Sequence, residues 1–203
     1  MRLVFEDARP SIDVLPPDWS AFWKVPDHAS ALGVVVVDFD GGAIGSAVRD
    51  VFSSPFVTGA KNQLSYTIAP PGTFETVEDA AHHVLGEHVW AAVVVAPDAS
   101  GRLATATSTR DVSYNASDAI TVFVTGARNE NAVPRLVLPQ VTATLNRFVV
   151  QFAEAHARTG LAGVDLAALI TAAPQLVTQP VGYRVNDIRP FDVPVASAVD
   201  FVG

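Results

Sequence analysis

Short runs of β-branched and small apolar residues recur along the chain, and amphipathic stretches separate them. The clearest run is Gly33-Val-Val-Val-Val-Asp38, which a glycine pair soon follows and which is typical of a strand buried on both faces. Residues 89–96 and 119–125 are similar, and weaker strands are predicted at 63–69 and 181–188. About five strands alternating with helices favour an α/β layered domain with a mixed or mostly parallel sheet and helices packed on it.

Helical spacing of apolar residues predicts the elements between the strands. Thr76 followed by Asp79 resembles a capping box, with Asp in place of the usual Glu or Gln, and marks a helix start. One long helix is predicted near residues 136–158, where Pro139 either starts the helix or kinks it. Such a helix could cover the sheet or act as a stalk or lever. The predicted helices cover residues 43–52, 77–86, 99–107, 136–158 and 165–173.

The composition favours one folded domain and excludes several classes of function. Of the 203 residues, 49% are hydrophobic, which is enough apolar material for a core. The net charge is −8, and Lys24 and Lys61 are the only lysines, so nucleic acid and anionic membrane surfaces are not expected partners. The absence of cysteine excludes disulfides, thiolate metal sites and a cysteine nucleophile. No apolar run approaches the ~20 residues of a membrane span, and charges interrupt the N-terminal residues where a signal peptide would be apolar.

The sharpest local motif is Asp38-Phe-Asp40-Gly-Gly42, at the end of the first predicted strand. It resembles the first motif of haloacid-dehalogenase-type phosphohydrolases, where the first Asp attacks phosphorus and the second is an acid–base group beside Mg²⁺. Gly42 stands where that family has Thr, Thr125 is the candidate for its second motif, and no lysine follows Thr125. The interpretation that we favour is a tight turn with an Asp that caps the next helix. A Mg²⁺-dependent phosphohydrolase using Asp38 and Asp40 is kept as the alternative function.

The histidines and the other polar motifs indicate no metal or catalytic site. His82 and His83 are adjacent on a predicted helix and point about 100° apart, so they cannot chelate one metal ion together. Each has an acidic residue four positions earlier, Glu78 or Asp79, and surface pairs are expected. Asn115-Ala-Ser117 is a glycosylation sequon in a polar loop, compatible with an extracytoplasmic location. We therefore assign no catalytic, cofactor-binding or metal-binding residue, and no cofactor.

Four blocks of sequence, taken in order, resemble one family of membrane proteins. They are residues 22–24 with 32–45, 89–103, 114–129 and 186–203, and the last contains Pro194-Val-Ala-Ser-Ala-Val199. In these blocks the chain is similar to the domain-of-unknown-function family typified by the fungal nitrosoguanidine-resistance membrane protein. That family is related to class-2 ABC-type permeases and to phage-infection-protein-like membrane proteins.

The resemblance implies an extracytoplasmic domain inserted between the first and second of several plasma-membrane helices. Residues 1–30 would form a juxtamembrane lead-in, 31–192 the α/β domain, and 193–203 the start of a hydrophobic exit segment. The implied role is non-enzymatic and transporter-like, linked to drug or toxicant resistance or to lipid handling. Expected partners are the protein's own membrane helices, a second copy of the chain, and a small-molecule or lipid ligand. A free-standing binding module is the remaining alternative.

Overall fold

Residues 29–55, 57 and 62–191 are described by the computed structural model. Within these ranges the chain forms a five-stranded mixed sheet with helices packed around it, which confirms the predicted fold class. The predicted exit segment and nearly all of the predicted lead-in lie outside the described residues. The strands are β1 (Gly33–Asp38), β2 (Ser65–Ile68), β3 (Ala91–Val95), β4 (Ile120–Val124) and β5 (Tyr183–Asp187).

The strand order in the sheet is β2-β1-β3-β4-β5. β2 and β3 both pair with β1 in parallel, as strand–helix–strand alternation predicts. β4 is antiparallel to β3, and β5 is parallel to β4. β4 reverses direction because it starts at the end of the sheet where β3 finishes, with Ile120 opposite Val95. The sheet is therefore mixed, with three of its four strand pairings parallel.

Both ends of the described chain lie at one end of this sheet. A single row of paired residues crosses the sheet through Val34 of β1, Ala91 of β3, Val124 of β4 and Asp187 of β5. The chain enters β1 just before this row, and it leaves β5 at the row. Because β1 and β5 are three strand spacings apart, these two points are separated by about 14 Å.

Helices cover the two faces of the sheet unequally. The helices are α1 (Ala43–Ser53), α2 (Val77–Leu85), α3 (Ala99–Thr109), α4 (Leu138–Ala155), α5 (Leu166–Ala172) and α6 (Gln175–Thr178). On one face the sheet packs against α1, α3, α4, α5 and α6 in the larger core cluster. On the other face the sheet forms a second, smaller core cluster, and α2 is the only helix in the described chain that joins it, through Ala80 and Val84. Burial of apolar surface on both faces is the main stabilising contribution to such a fold.

α4 is the central part of a continuous helix of 28 residues. A π-helical turn, Val133–Val137, precedes α4, and a second, His156–Gly160, follows it. The prediction of a long helix near 136–158 is therefore confirmed, and the helix is longer at both ends. Val141, Leu145 and Phe148 are buried in the larger core cluster, so the helix covers the sheet. No helix in residues 29–55 and 62–191 is both long and apolar enough to cross a membrane.

Three local sequence features lie at helix starts in the structure. Pro139 is the second residue of α4 and comes directly after the wider π-helical turn, in which Leu138 donates to the Val133 carbonyl. It therefore lies at the start of the α-helical segment, within the longer continuous helix. The capping box that opens α2 is complete, with each of its two side chains accepting the other residue's backbone N–H. Pro174 comes just after the end of α5 and is the N-cap of the short helix α6, which the sequence pattern did not predict.

Candidate functional site

The turn after β1 is held by the carboxylate of Asp38. Its Oδ1 accepts the backbone N–H groups of Asp40 and Gly41, each at 2.9 Å. Its Oδ2 lies 3.3 Å from the guanidinium Nε of Arg49 in α1, and the Asp38 side chain is only 6% exposed. Gly45 is required beside it, because a Cβ at that position would collide with the Asp38 carboxylate. Asp38 therefore ties the strand end to its own turn and to the first helix.

Asp40 lies between the N-termini of α1 and α3. One carboxylate oxygen accepts the N–H of Ser100 at 2.8 Å. The other accepts the Ser100 hydroxyl at 2.6 Å and the N–H groups of Gly42 and Gly45, each at 3.1 Å. The Ser100 hydroxyl in turn accepts the N–H of Ile44 at 2.9 Å. One carboxylate and one hydroxyl thus satisfy backbone donors at the start of two helices, which otherwise lack partners inside the helix.

The electrostatics of this arrangement favour an ionised Asp40. Partial burial raises the pKa of Asp40, but the hydrogen bonds from Ser100, Gly45 and Gly42 outweigh it and leave the pKa below the ordinary 3.8. The positive ends of two helix dipoles also favour a negative charge at this point. We define the Asp40 cluster as Asp38, Asp40, Arg49 and Ser100. Helix N-termini attract anions, and in this cluster the Asp40 carboxylate of the chain itself occupies that position.

The structure does not bring the residues of the phosphohydrolase alternative together. Asp38 and Asp40 lie at the end of the sheet where Asp38 pairs with Val95 and Val95 with Ile120. Thr125 follows the opposite end of β4, five residues beyond Ile120, so it is about 17 Å farther along the sheet. The antiparallel direction of β4 is the physical reason for this separation.

The histidines of α2 are engaged in local packing. The ring of His83 lies 5.3 Å from that of Phe74 and stacks on His88 at 4.7 Å, measured between centroids. Partial burial, followed by the neighbouring His88, lowers the pKa of His83. The Asp79 carboxylate accepts the backbone N–H of Thr76 in the capping box, which is a helix-capping contact and not a metal-binding one. In the described ranges, no three His, Asp or Glu side chains are grouped so that they could hold a metal ion.

A cavity of about 290 Å³ lies beside the Asp40 cluster and shares Ser100 with it. We call it the α3–α4 cavity, because one stripe of α3 and the C-terminal part of the long helix form its facing walls. Its walls include Ser100, Ala104 and Thr107 from α3, and Phe152, His156 and Gly160 from the long helix. Sequence reasoning did not single out these residues. The available signal was the run of small side chains at helical spacing on α3, which leaves space against the opposing helix.

These features define a mixed α/β domain whose Asp40 cluster accepts hydrogen bonds from the backbone of its own turn and helix starts. The chain belongs to the family described as "Protein of unknown function (DUF3533)", which matches residues 14–203. Comparison with curated proteins and comparison with solved structures each find no match.

Proposed function

We propose that this chain is a non-enzymatic extracytoplasmic domain of a multi-pass, transporter-like protein of the plasma membrane. The observation that carries the proposal is the position of both described chain ends at one end of the sheet. A domain inserted between two membrane helices must return the chain to the side from which it came. The separation of about 14 Å between β1 and β5 is somewhat wider than the 8–10 Å between packed helix axes. Two membrane helices therefore fit beneath the domain.

The surface at this end of the sheet suits the interface of a lipid bilayer. Trp90 precedes β3 here, and the guanidinium carbon of Arg128 lies 4.0 Å from the centre of its ring. Two large apolar side chains at the same end, Leu85 and Phe191, are 37% and 43% exposed. Tryptophan is enriched where a protein meets the headgroup region, and the Arg128 side chain, which is 18% exposed, is paired with Glu87 at 3.8 Å.

The state of the carboxylates supports a non-enzymatic role. A nucleophilic Asp needs an oxygen free to approach phosphorus, with a metal ion alongside. Both oxygens of Asp38 and both oxygens of Asp40 already contact donors of this chain. Opening these contacts would leave backbone donors at two helix starts without partners.

The finer assignment rests on resemblance. The blocks shared with the nitrosoguanidine-resistance family suggest a role in drug or toxicant resistance or in lipid handling, in a protein related to class-2 ABC-type permeases. In this proposal the domain's principal partners are the protein's own membrane helices, and a second copy of the chain is a further candidate. Nucleic acid is not a candidate partner, because the chain carries a net charge of −8.

Alkaline carbonate extraction of membranes from the native organism tests the proposal. Carbonate releases peripheral proteins and leaves proteins with membrane-spanning segments in the pellet. We expect the tagged gene product to stay in the pellet, together with a known integral membrane protein. Release into the supernatant, alongside a peripheral control protein, would contradict the proposal and favour the free-standing binding module.

A further inference from the structure

The α3–α4 cavity contains polar groups that the fold leaves without good partners. Thr107 is 6% exposed, and its hydroxyl makes no hydrogen bond. Nε2 of His156 is buried without a hydrogen bond of ordinary geometry, although the imidazole interacts with the backbone of Leu176. Buried polar atoms are paired in most proteins, and an unpaired one costs free energy. The Thr107 hydroxyl is therefore a buried group without a partner in the lining of a cavity, which indicates that a group from outside the chain completes it.

The rest of the lining consists of apolar and uncharged polar side chains. Phe152 and Leu103 belong to it, and no Asp, Glu, Lys or Arg of the described chain does. A charged ligand would lose its hydration here without gaining a counter-ion. The nearby carboxylate of Asp40 also disfavours an anion, although its own hydrogen bonds occupy it. The chemistry of the cavity therefore favours a neutral ligand.

The end of the long helix is shaped around this space. Gly160 leaves room for the imidazole of His156, because a Cβ there would lie 2.5 Å from Nδ1. His156 and Gly160 are the first and last residues of the π-helical turn that ends the long helix. The ring of Phe152 stacks on that of His156 at 6.2 Å, which holds the imidazole beside the cavity.

We propose that the α3–α4 cavity binds a small neutral molecule with an apolar body and one hydroxyl group, and that Thr107 hydrogen-bonds this hydroxyl. The cavity is open on one side, so its volume gives the size of the part of the ligand that it encloses. An apolar cavity of about 150 Å³ holds benzene, so about 290 Å³ suits a molecule of roughly ten to twelve non-hydrogen atoms. This site is independent of the membrane location proposed above and adds a ligand class to it.

Calorimetric titration of the 203-residue chain with 1-naphthol and with naphthalene tests the proposal. The two probes share their apolar body and differ by one hydroxyl. One hydrogen bond to a buried partner predicts that 1-naphthol binds about three- to tenfold more tightly. We expect Thr107→Val, which keeps the shape and removes the hydroxyl, to abolish this preference. The matched change Thr144→Val should leave it intact, since the Thr144 hydroxyl already donates to the Gln140 carbonyl.

A second pair of variants locates the binding. Ala104 lies at the exposed rim of the cavity, so Ala104→Trp should fill the opening without disturbing the core. It is expected to weaken 1-naphthol binding at least tenfold, whereas Thr105→Trp, on the neighbouring exposed position, should not. Thermal melts confirm that each variant is folded. Equal affinity of the two probes, a preference that survives Thr107→Val, or binding that survives Ala104→Trp would each overturn the proposal.

Discussion

Replacing Asp40 with asparagine should destabilise the domain more than an ordinary surface substitution does. The two carboxylate oxygens accept four hydrogen bonds, from Ser100 twice and from Gly42 and Gly45. Asparagine offers one carbonyl oxygen, so its NH₂ group must face at least one of these donors. Loss of a cap costs about 0.5–2 kcal/mol per helix, and a hydrogen bond to a charged group contributes about 1.5–3 kcal/mol. We expect a total loss of about 2–3 kcal/mol.

Urea unfolding followed by circular dichroism measures this loss. With a slope of about 2–3 kcal/mol per molar urea, the midpoint should fall by about 1 M. The control is Asp79→Asn, because the exposed Asp79 carboxylate accepts the backbone N–H of Thr76 at only one helix start, and it should cause a clearly smaller shift.

The effect of Asp40 should also depend on pH in one direction. Its pKa is lower in the folded protein than the ordinary 3.8, so its stabilisation is fully present above that value. As the pH falls through the lower folded pKa, Asp40 becomes protonated and the stabilisation is lost. The difference between the wild type and Asp40→Asn should therefore be constant from pH 5 to 7 and shrink below about pH 3.8. A midpoint shift no larger than that of Asp79→Asn, or a difference that does not narrow in acid, would refute the assignment of Asp40 to two helix starts.

Three further predictions follow from the described contacts. Thr107→Val should stabilise the ligand-free chain by about 1 kcal/mol in urea unfolding, because it removes an unpaired buried hydroxyl, whereas Thr144→Val should not stabilise it. With Mg²⁺ and p-nitrophenyl phosphate, the wild type should show no turnover above Asp38→Asn, and activity lost in that variant would restore the phosphohydrolase alternative. Asn115 is exposed in its sequon, so expression through a eukaryotic secretory pathway should add a glycan that mass spectrometry detects and that Asn115→Gln removes; an unmodified wild type would show that the sequon is not used.

Local patterns were sufficient to predict most of the elements. The β-branched run at Gly33–Asp38 forms a buried strand because its composition suits that environment wherever the neighbouring strands lie. The capping box of Thr76 and Asp79 is likewise local, since its partners are three residues apart. The interpretation of Asp38-Phe-Asp40 as a turn and a helix cap agrees with the hydrogen bonds of both carboxylates.

Features that depend on distant residues could not be predicted in this way. The direction of β4 is set by where the chain arrives after α3, and a strand pattern carries no direction. The second helix start that Asp40 caps belongs to Ser100, which lies 60 residues away in the sequence. The α3–α4 cavity arises where small side chains on one helix face the end of another, so neither helix shows it alone.

The most direct test of the account is the side of the membrane on which the domain lies. The chain contains no cysteine, and Val112 is 69% exposed, so Val112→Cys places one accessible thiol on the domain. Intact cells that express the native gene product with this change are treated with a membrane-impermeant maleimide, and the unchanged product gives the background. The account predicts labelling of the variant above that background without permeabilisation. Labelling that appears only after the cells are permeabilised would contradict it.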